Sequence, residues 1–267
     1  MNDLSWLSRS ESILGTEAIK KLNNSHVLVL GMGGVGSFAA EFLCRSGVGK
    51  MTIIDGDTVE SSNRNRQLPA LISTEGKQKV EVMAERLRDI NPKIDLTVIN
   101  EFILPEKIKE LLENKPDYCL DAIDSITPKL SFIRLAKERN IPFVSSMGAG
   151  GKIDPTQIKV ADISRSYNCK LAFYIRKKLK KSGIYDGVKV VFSTELHQAN
   201  SLLYTDGSNF KKSAYGTMSY IPAAFGGTAA SIVIRDLLSL IPKGTFTPKK
   251  DLKKIHKLTL LETELAN

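Results

Sequence analysis

At 267 residues, with 42% hydrophobic and 25% charged side chains, the chain can hold one large domain or two small ones, which excludes the disordered and collagen-like classes. Its formal charge of +9 is uneven: residues 1–162 carry 21 basic and 22 acidic side chains, and residues 163–267 carry 17 and 7. A basic part beside a neutral one points to a polyanionic partner, with nucleic acid ahead of a membrane surface.

In chain order, residues 26–30 (HVLVL) read as a short core strand running into glycines, and 36–46 as a helix with Phe38, Phe42 and Leu43 partly on one face. Residues 50–54 (KMTII) read as a second strand. The spacing of Val80, Met83, Ala84 and Leu87 predicts a helix over 76–90, stopped by Asn91-Pro92. A strand at 94–99, a helix at 105–114, a strand at 118–123, a helix at 128–139 and a strand at 142–146 follow. That rhythm specifies an α/β fold, a doubly wound parallel sheet with ligands outside the carboxyl ends of its strands. After Gly148 a glycine-rich connection leads to a strand, a basic helix over 170–181, a strand at 189–194, a polar loop over 197–216 and a helix over 224–240. These are expected to complete the same sheet. Residues 213–234 are uncharged and long enough to span a bilayer. Pro222, several glycines and five Ser/Thr residues instead predict a buried helix after an irregular strand.

Gly31-Met32-Gly33-Gly34-Val35-Gly36 fits G-x-G-x-x-G after a strand and at the head of a helix. Such glycines let the backbone turn tightly and approach phosphate, and the helix N-terminus adds N–H groups and positive dipole. Asp55, at the end of the second strand, is placed for ribose hydroxyls. A redox dinucleotide and ATP would both suit these two features. Asn63-Arg64-Asn65-Arg66-Gln67 and Lys79 tip the reading toward ATP, because cleaving a triphosphate calls for cations where charge develops. Asp124, at the carboxyl end of the fourth strand, is placed to hold Mg²⁺ against phosphates, with a helix N-cap as the alternative. Asp121, one strand period before Ile123, is expected to satisfy local backbone.

In this order and spacing, the glycine loop, Asp55, Asn63-x-x-Arg66-Gln67, Lys79 and Asp124 resemble the ATP motif of the enzymes that adenylate ubiquitin-like and sulfur-carrier proteins, the ThiF/MoeB/HesA superfamily. Gly148-Ala149-Gly150-Gly151-Lys152-Ile153-Asp154-Pro155-Thr156, Val190-Val191-Phe192-Ser193-Thr194-Glu195 and Arg86-x-x-x-Ile90-Asn91-Pro92 are similar to its branch of tRNA threonylcarbamoyladenosine dehydratases. The resemblance implies a mostly parallel Rossmann-like sheet continued by a C-terminal mixed segment. It also implies one adenylation domain over 1–267, with a nucleotide-binding half at 1–147 and a basic substrate half at 148–267. The implied activity is ATP-dependent cyclisation of the threonylcarbamoyl group on an adenosine beside the anticodon. Asp55 would bind ribose; Asn63, Arg66, Lys79 and the glycines Gly31, Gly33, Gly34 and Gly36 would hold phosphates; Asp124 would hold the metal. Arg9 sits where the family often has an arginine that reaches a dimer partner's nucleotide. The implied partners are tRNA carrying the modification, a second copy of the chain and, as a candidate, a sulfurtransferase, in the cytoplasm without integral membrane association.

Departures from the wider superfamily favour tRNA over a protein carrier. Three cysteines (Cys44, Cys119 and Cys169) suit a reducing cytoplasm; Cys169 is the one candidate for a transfer thiol, and the others fall in a helix and a strand. There is no C-x-x-C, so no zinc is expected. Met1–Glu11 lacks the pattern of a secretory signal. His26 and His197 are expected to be structural. Arg176–Lys181 and the lysines at 249, 250, 253, 254 and 257 are candidate tRNA phosphate contacts.

Overall fold

The computed structural model describes residues 4–204 and 213–240. Its centre is a seven-stranded sheet of β1 (His26–Leu30), β2 (Lys50–Ile54), β3 (Asp95–Ile99), β4 (Tyr118–Asp121), β5 (Phe143–Ser146), β6 (Ile158–Asp162) and β7 (Lys189–Ser193). The spatial order is β3-β2-β1-β4-β5-β7-β6, parallel throughout except that β6 runs antiparallel to β7. Strand order reverses between β1 and β4, and a doubly wound sheet opens its ligand crevice at that reversal, beyond the carboxyl ends.

The buried strands are apolar on both faces because helices cover each side. Val27 and Val29 of β1 join one core with α3 (Gly36–Arg45), α4 (Lys79–Ile90) and α8 (Tyr220–Leu237). Leu28 and Leu30 face a second core with α5 (Pro105–Glu113), α6 (Ile126–Glu138) and α7 (Lys170–Lys181). Helices α3 and α8 approach closely: a Cβ on Gly226 would stand 2.6 Å from the Val35 carbonyl oxygen. The longest apolar helix is thus committed to covering the helix that follows the glycine loop. No helix among the described residues is long and apolar enough to cross a membrane.

The strands and helices expected from periodicity are present, with three physical corrections. Helix α4 begins at Lys79, not at 76, because Gly76 has φ +82° and Gln78 makes a β-bridge with Thr58. Helices α6 and α8 each begin two residues before a proline, at Ile126 and Tyr220. The first four N–H groups of a helix have no partner within it, so Pro128 and Pro222 fit in the first turn without loss. Strand β4 ends at Asp121, which makes Ala122–Ser125 the turn that carries Asp124. Two features went unread in the sequence: α1 (Ser8–Leu14) with α2 (Thr16–Asn23), and a hairpin of β8 (Leu202–Tyr204) and β9 (Ser213–Tyr215) in the stretch expected to be loop.

Candidate functional site

The glycine loop leaves β1 with Gly31 at φ +94° and its N–H bonded to the Ile54 carbonyl, 2.9 Å. Gly36 has no room for a side chain, since a Cβ would lie 1.7 Å from the Gly31 oxygen. At Gly34 a Cβ would lie 3.0 Å from Pro222 and 3.2 Å from the Arg66 carbonyl, so the loop, α8 and the arginine segment meet there. Gly33 differs: its φ is ordinary and a Cβ would meet nothing within 4 Å. The fold requires Gly36 and does not require Gly33, whose bare backbone opens the N-terminal mouth of α3 to a ligand. Gly36→Ala should therefore destabilise the protein by about 3 kcal/mol, the upper end of overpacking costs. Gly33→Ala should alter stability by less than about 0.5 kcal/mol while weakening nucleotide binding. Urea unfolding alongside ATP titration checks both, and a Gly33→Ala variant with wild-type ATP affinity would contradict the assignment of this mouth.

Asp55 ties the loop to β2. One carboxylate oxygen accepts from the Met32 N–H (2.6 Å) and the other from the Asp57 N–H (2.8 Å). Burial raises the pKa of Asp55, opposed by the nearby Lys79 ammonium and by these two N–H groups. Each oxygen retains a lone pair for a hydroxyl donor. Lys79, the first residue of α4, is buried with its Nζ 3.0 Å from a carboxylate oxygen of Asp57. That contact uses one of three ammonium donors. Asp57 was not legible as a site residue, although the Asp55-Gly56-Asp57 spacing was a signal for it.

Asn63 closes a 3-10 turn, Ser61–Asn63: its side-chain oxygen accepts from the Glu60 N–H at 3.3 Å and its amide donates to Ser62 Oγ at 3.3 Å. The buried side chain thus shapes the segment that presents Arg66. Arg66 donates from Nη1 to the Ser62 carbonyl (2.8 Å) and the Asn65 side-chain oxygen (2.9 Å). Burial lowers its pKa, and the Asp124 and Glu60 carboxylates counter that shift. Asn65 in turn donates to the Thr217 carbonyl, 3.0 Å, fastening the segment to the approach to α8.

Beneath Asp124 lies a buried polar network. Asp121, fully buried, accepts from the Ile123 N–H on one oxygen (2.9 Å); on the other it accepts from Lys129 Nζ (2.7 Å) and Ser145 Oγ (2.6 Å). Lys129 is buried too, and its ammonium also donates to Ser145 Oγ (3.1 Å) and the Ser146 carbonyl (2.9 Å). Burial pulls the Lys129 pKa down while Asp121 holds it up, and three acceptors for three protons satisfy the charged form. The network pins the β4–α6 turn, which carries the exposed Asp124 close enough to Arg66 for its carboxylate to act on the guanidinium. Ser125, not Asp124, is the N-cap of α6. The expectation that Asp121 serves local backbone is met in part; Lys129 and Ser145 were missed, because a helix lysine reads as surface.

Beyond β5 and β7, Lys152 is buried and donates to the carbonyls of Asn168 (3.1 Å) and Glu195. The Glu195 carboxylate accepts from the Asp154 N–H at 2.9 Å and from the Ile153 N–H. Two sequence-distant motifs, 148–156 and 190–195, therefore close on each other. His197 lies beside them with its ring centre 4.9 Å from that of Tyr215 and tilted by 42°, and burial lowers its pKa. His26 sits at the opposite end of the sheet, within 2.9 Å of Thr52 Oγ1. Arg9 is exposed on α1, which packs against α2. All three cysteines are buried and free; burial pushes the Cys44 thiol up to about 12 and Cys119 higher still. The lysines at 249–257 lie outside the described residues.

The family model for ThiF matches residues 7–265. The tRNA threonylcarbamoyladenosine dehydratase of Bacillus subtilis (strain 168) is 40% identical over 242 residues, covering 88% of this chain and 95% of that protein. The dehydratase of Escherichia coli (strain K12) is 37% identical over 249 residues, covering 85% and 91%. The crystal structure of E. coli tRNA N6-threonylcarbamoyladenosine dehydratase in complex with ATP superposes with a TM-score of 0.80 at 36% identity, covering 90% of this chain and 97% of that one.

Proposed function

The chain belongs to the ThiF family, and from that premise we propose that it is an ATP-dependent tRNA threonylcarbamoyladenosine dehydratase, closing the ring through an adenylated carboxylate. What supports this reading is the mouth of α3, open at Gly33, with the Arg66 segment against Gly34, the Lys79 ammonium near Asp55 and the Asp124 carboxylate near Arg66.

Hydroxide is a poor leaving group, so direct loss of water from the threonine carboxylate is slow. Attack of that carboxylate on the α-phosphorus of ATP expels pyrophosphate and forms a mixed anhydride with AMP. The carbamoyl nitrogen on the same substituent then attacks the activated carbonyl, loses its proton and displaces AMP; proximity makes an enzyme nucleophile unnecessary. Asp55 accepts the ribose hydroxyls. The glycine loop, Arg66 and Lys79 stabilise charge on the phosphates, and Asn63 holds the turn that carries Arg66. The donor set at the crevice, one carboxylate beside cations, suits Mg²⁺, which takes few protein ligands and fills its shell with phosphate oxygens and water. Asp124 would hold that ion, which supplies neutralisation of phosphate charge. In this reading the enzyme works in the cytoplasm as a homodimer, where Arg9 is offered to the partner's nucleotide, and a sulfurtransferase is a candidate partner.

Adenylation of a ubiquitin-like or sulfur-carrier protein is the weaker reading, since the one cysteine near the crevice, Cys169, is buried. Cys169→Ser should keep near wild-type turnover, and metal analysis should find no stoichiometric zinc; loss of activity in a folded Cys169→Ser enzyme would revive the thioester route. The test of the function itself is mass spectrometry of tRNA nucleosides from a deletion strain. The cyclic nucleoside should vanish and return on complementation, and its persistence without the gene would overturn the reading.

A further inference from the structure

Helix α7 starts near Gly148, where a Cβ would stand 3.7 Å from Leu171 and Cys169, at the same carboxyl-end edge of the sheet as the nucleotide crevice. Its first residue, Lys170, sets its ammonium 5.7 Å from the centre of the Tyr215 ring. Ala172, Ile175 and Leu179 face the core. Spacings of three and four then place Lys170, Phe173, Tyr174, Lys177, Lys178 and Lys181 in one outward stripe leading away from the crevice.

Phe173 and Tyr174 are 50% and 49% exposed, with rings edge to face at 5.4 Å. A scattered exposed aromatic needs no explanation, but four of the eight among the described residues fall between residues 167 and 185. The helix around them carries six cations and no acid. A second copy of the chain would set like charges against each other. A single-stranded nucleic acid offers phosphates to these cations and free π faces to these aromatics.

We propose that this stripe seats the single-stranded loop of an RNA hairpin, with unstacked bases on Phe173 and Tyr174 and loop phosphates on Lys170, Lys177 and Lys181. The inference rests on the tRNA reading above and adds the platform that recognises the loop. Stacking is sequence-tolerant and independent of salt, whereas each phosphate contact releases counterions, so the two kinds of residue have different signatures.

The experiment uses the full chain and two probes: an RNA hairpin with the tRNA anticodon-loop sequence, and an RNA duplex without a loop. The double variant Phe173→Ala/Tyr174→Ala should lose at least about tenfold in hairpin affinity, with the salt slope, duplex affinity and ATP binding unchanged. Phe173→Leu/Tyr174→Leu, which keeps apolar bulk without π faces, should lose as much, and Phe173→Tyr should retain affinity. Lys177→Ala/Lys181→Ala should weaken both probes and reduce the salt slope by about 1 per lysine. Wild-type hairpin affinity in both aromatic double variants would overturn the stripe while leaving the tRNA reading standing; a wild-type protein that binds neither RNA would overturn the reading beneath it. Unchanged hairpin affinity with lost binding to anionic phospholipid vesicles, or a change of oligomeric state in the aromatic variants, would reassign the face to a membrane or to a second copy.

Discussion

Lys79→Ala is expected to remove about 2–4 kcal/mol of transition-state stabilisation, the scale for deleting one preorganised electrostatic donor in a water-poor site. The ammonium is buried at the first position of α4 and held by Asp57, whose own side chain is 35% exposed. Removing the cation leaves Asp57 with access to water, so the loss should fall on turnover and only lightly on folding. Asp124→Ala should show a deficit of similar size, with ATP affinity less affected than turnover. The two variants should be far less than additive if both act on the same phosphates. Single-turnover rates and urea unfolding on the same preparations check this. Wild-type turnover in both variants would remove these residues from the catalytic assignment.

Lys129→Met should cost about 3–5 kcal/mol of folding stability, because it strands the fully buried Asp121 carboxylate. Adding Asp121→Asn should recover much of the loss: the amide oxygen still accepts from the Ile123 N–H, and no uncompensated charge remains. Denaturant midpoints of the two variants decide it, and a single variant within about 1 kcal/mol of wild type would contradict an ion pair here. The same network fixes the turn ahead of Asp124, so the double variant should fold well yet bind nucleotide less tightly than wild type.

The parts of this molecule legible in sequence are those that a local pattern dictates. Two apolar strands with period-spaced helices announced the sheet, and a glycine run between β1 and α3 announced the loop. Asp55 followed from strand length alone, as the first residue past KMTII. What stayed hidden depends on tertiary approach. Lys129 looks like any helix lysine until Asp121, Ser145 and the Ser146 carbonyl close around it. Asp57 gains its meaning only when the start of α4 comes alongside it, and Asn63 turned out to shape its own turn. Helices α1 and α2 are short, and α1 buries none of its residues, so no apolar stripe marked it. The β8–β9 hairpin has three residues per strand, too few for alternation to show.

The central claim, ring closure through an adenylated carboxylate, is tested most directly by product stoichiometry. Purified enzyme, ATP, Mg²⁺ and tRNA bearing threonylcarbamoyladenosine should yield AMP and pyrophosphate one-for-one with a nucleoside lighter by one water. Release of ADP and phosphate, or a nucleoside of unchanged mass, would contradict it.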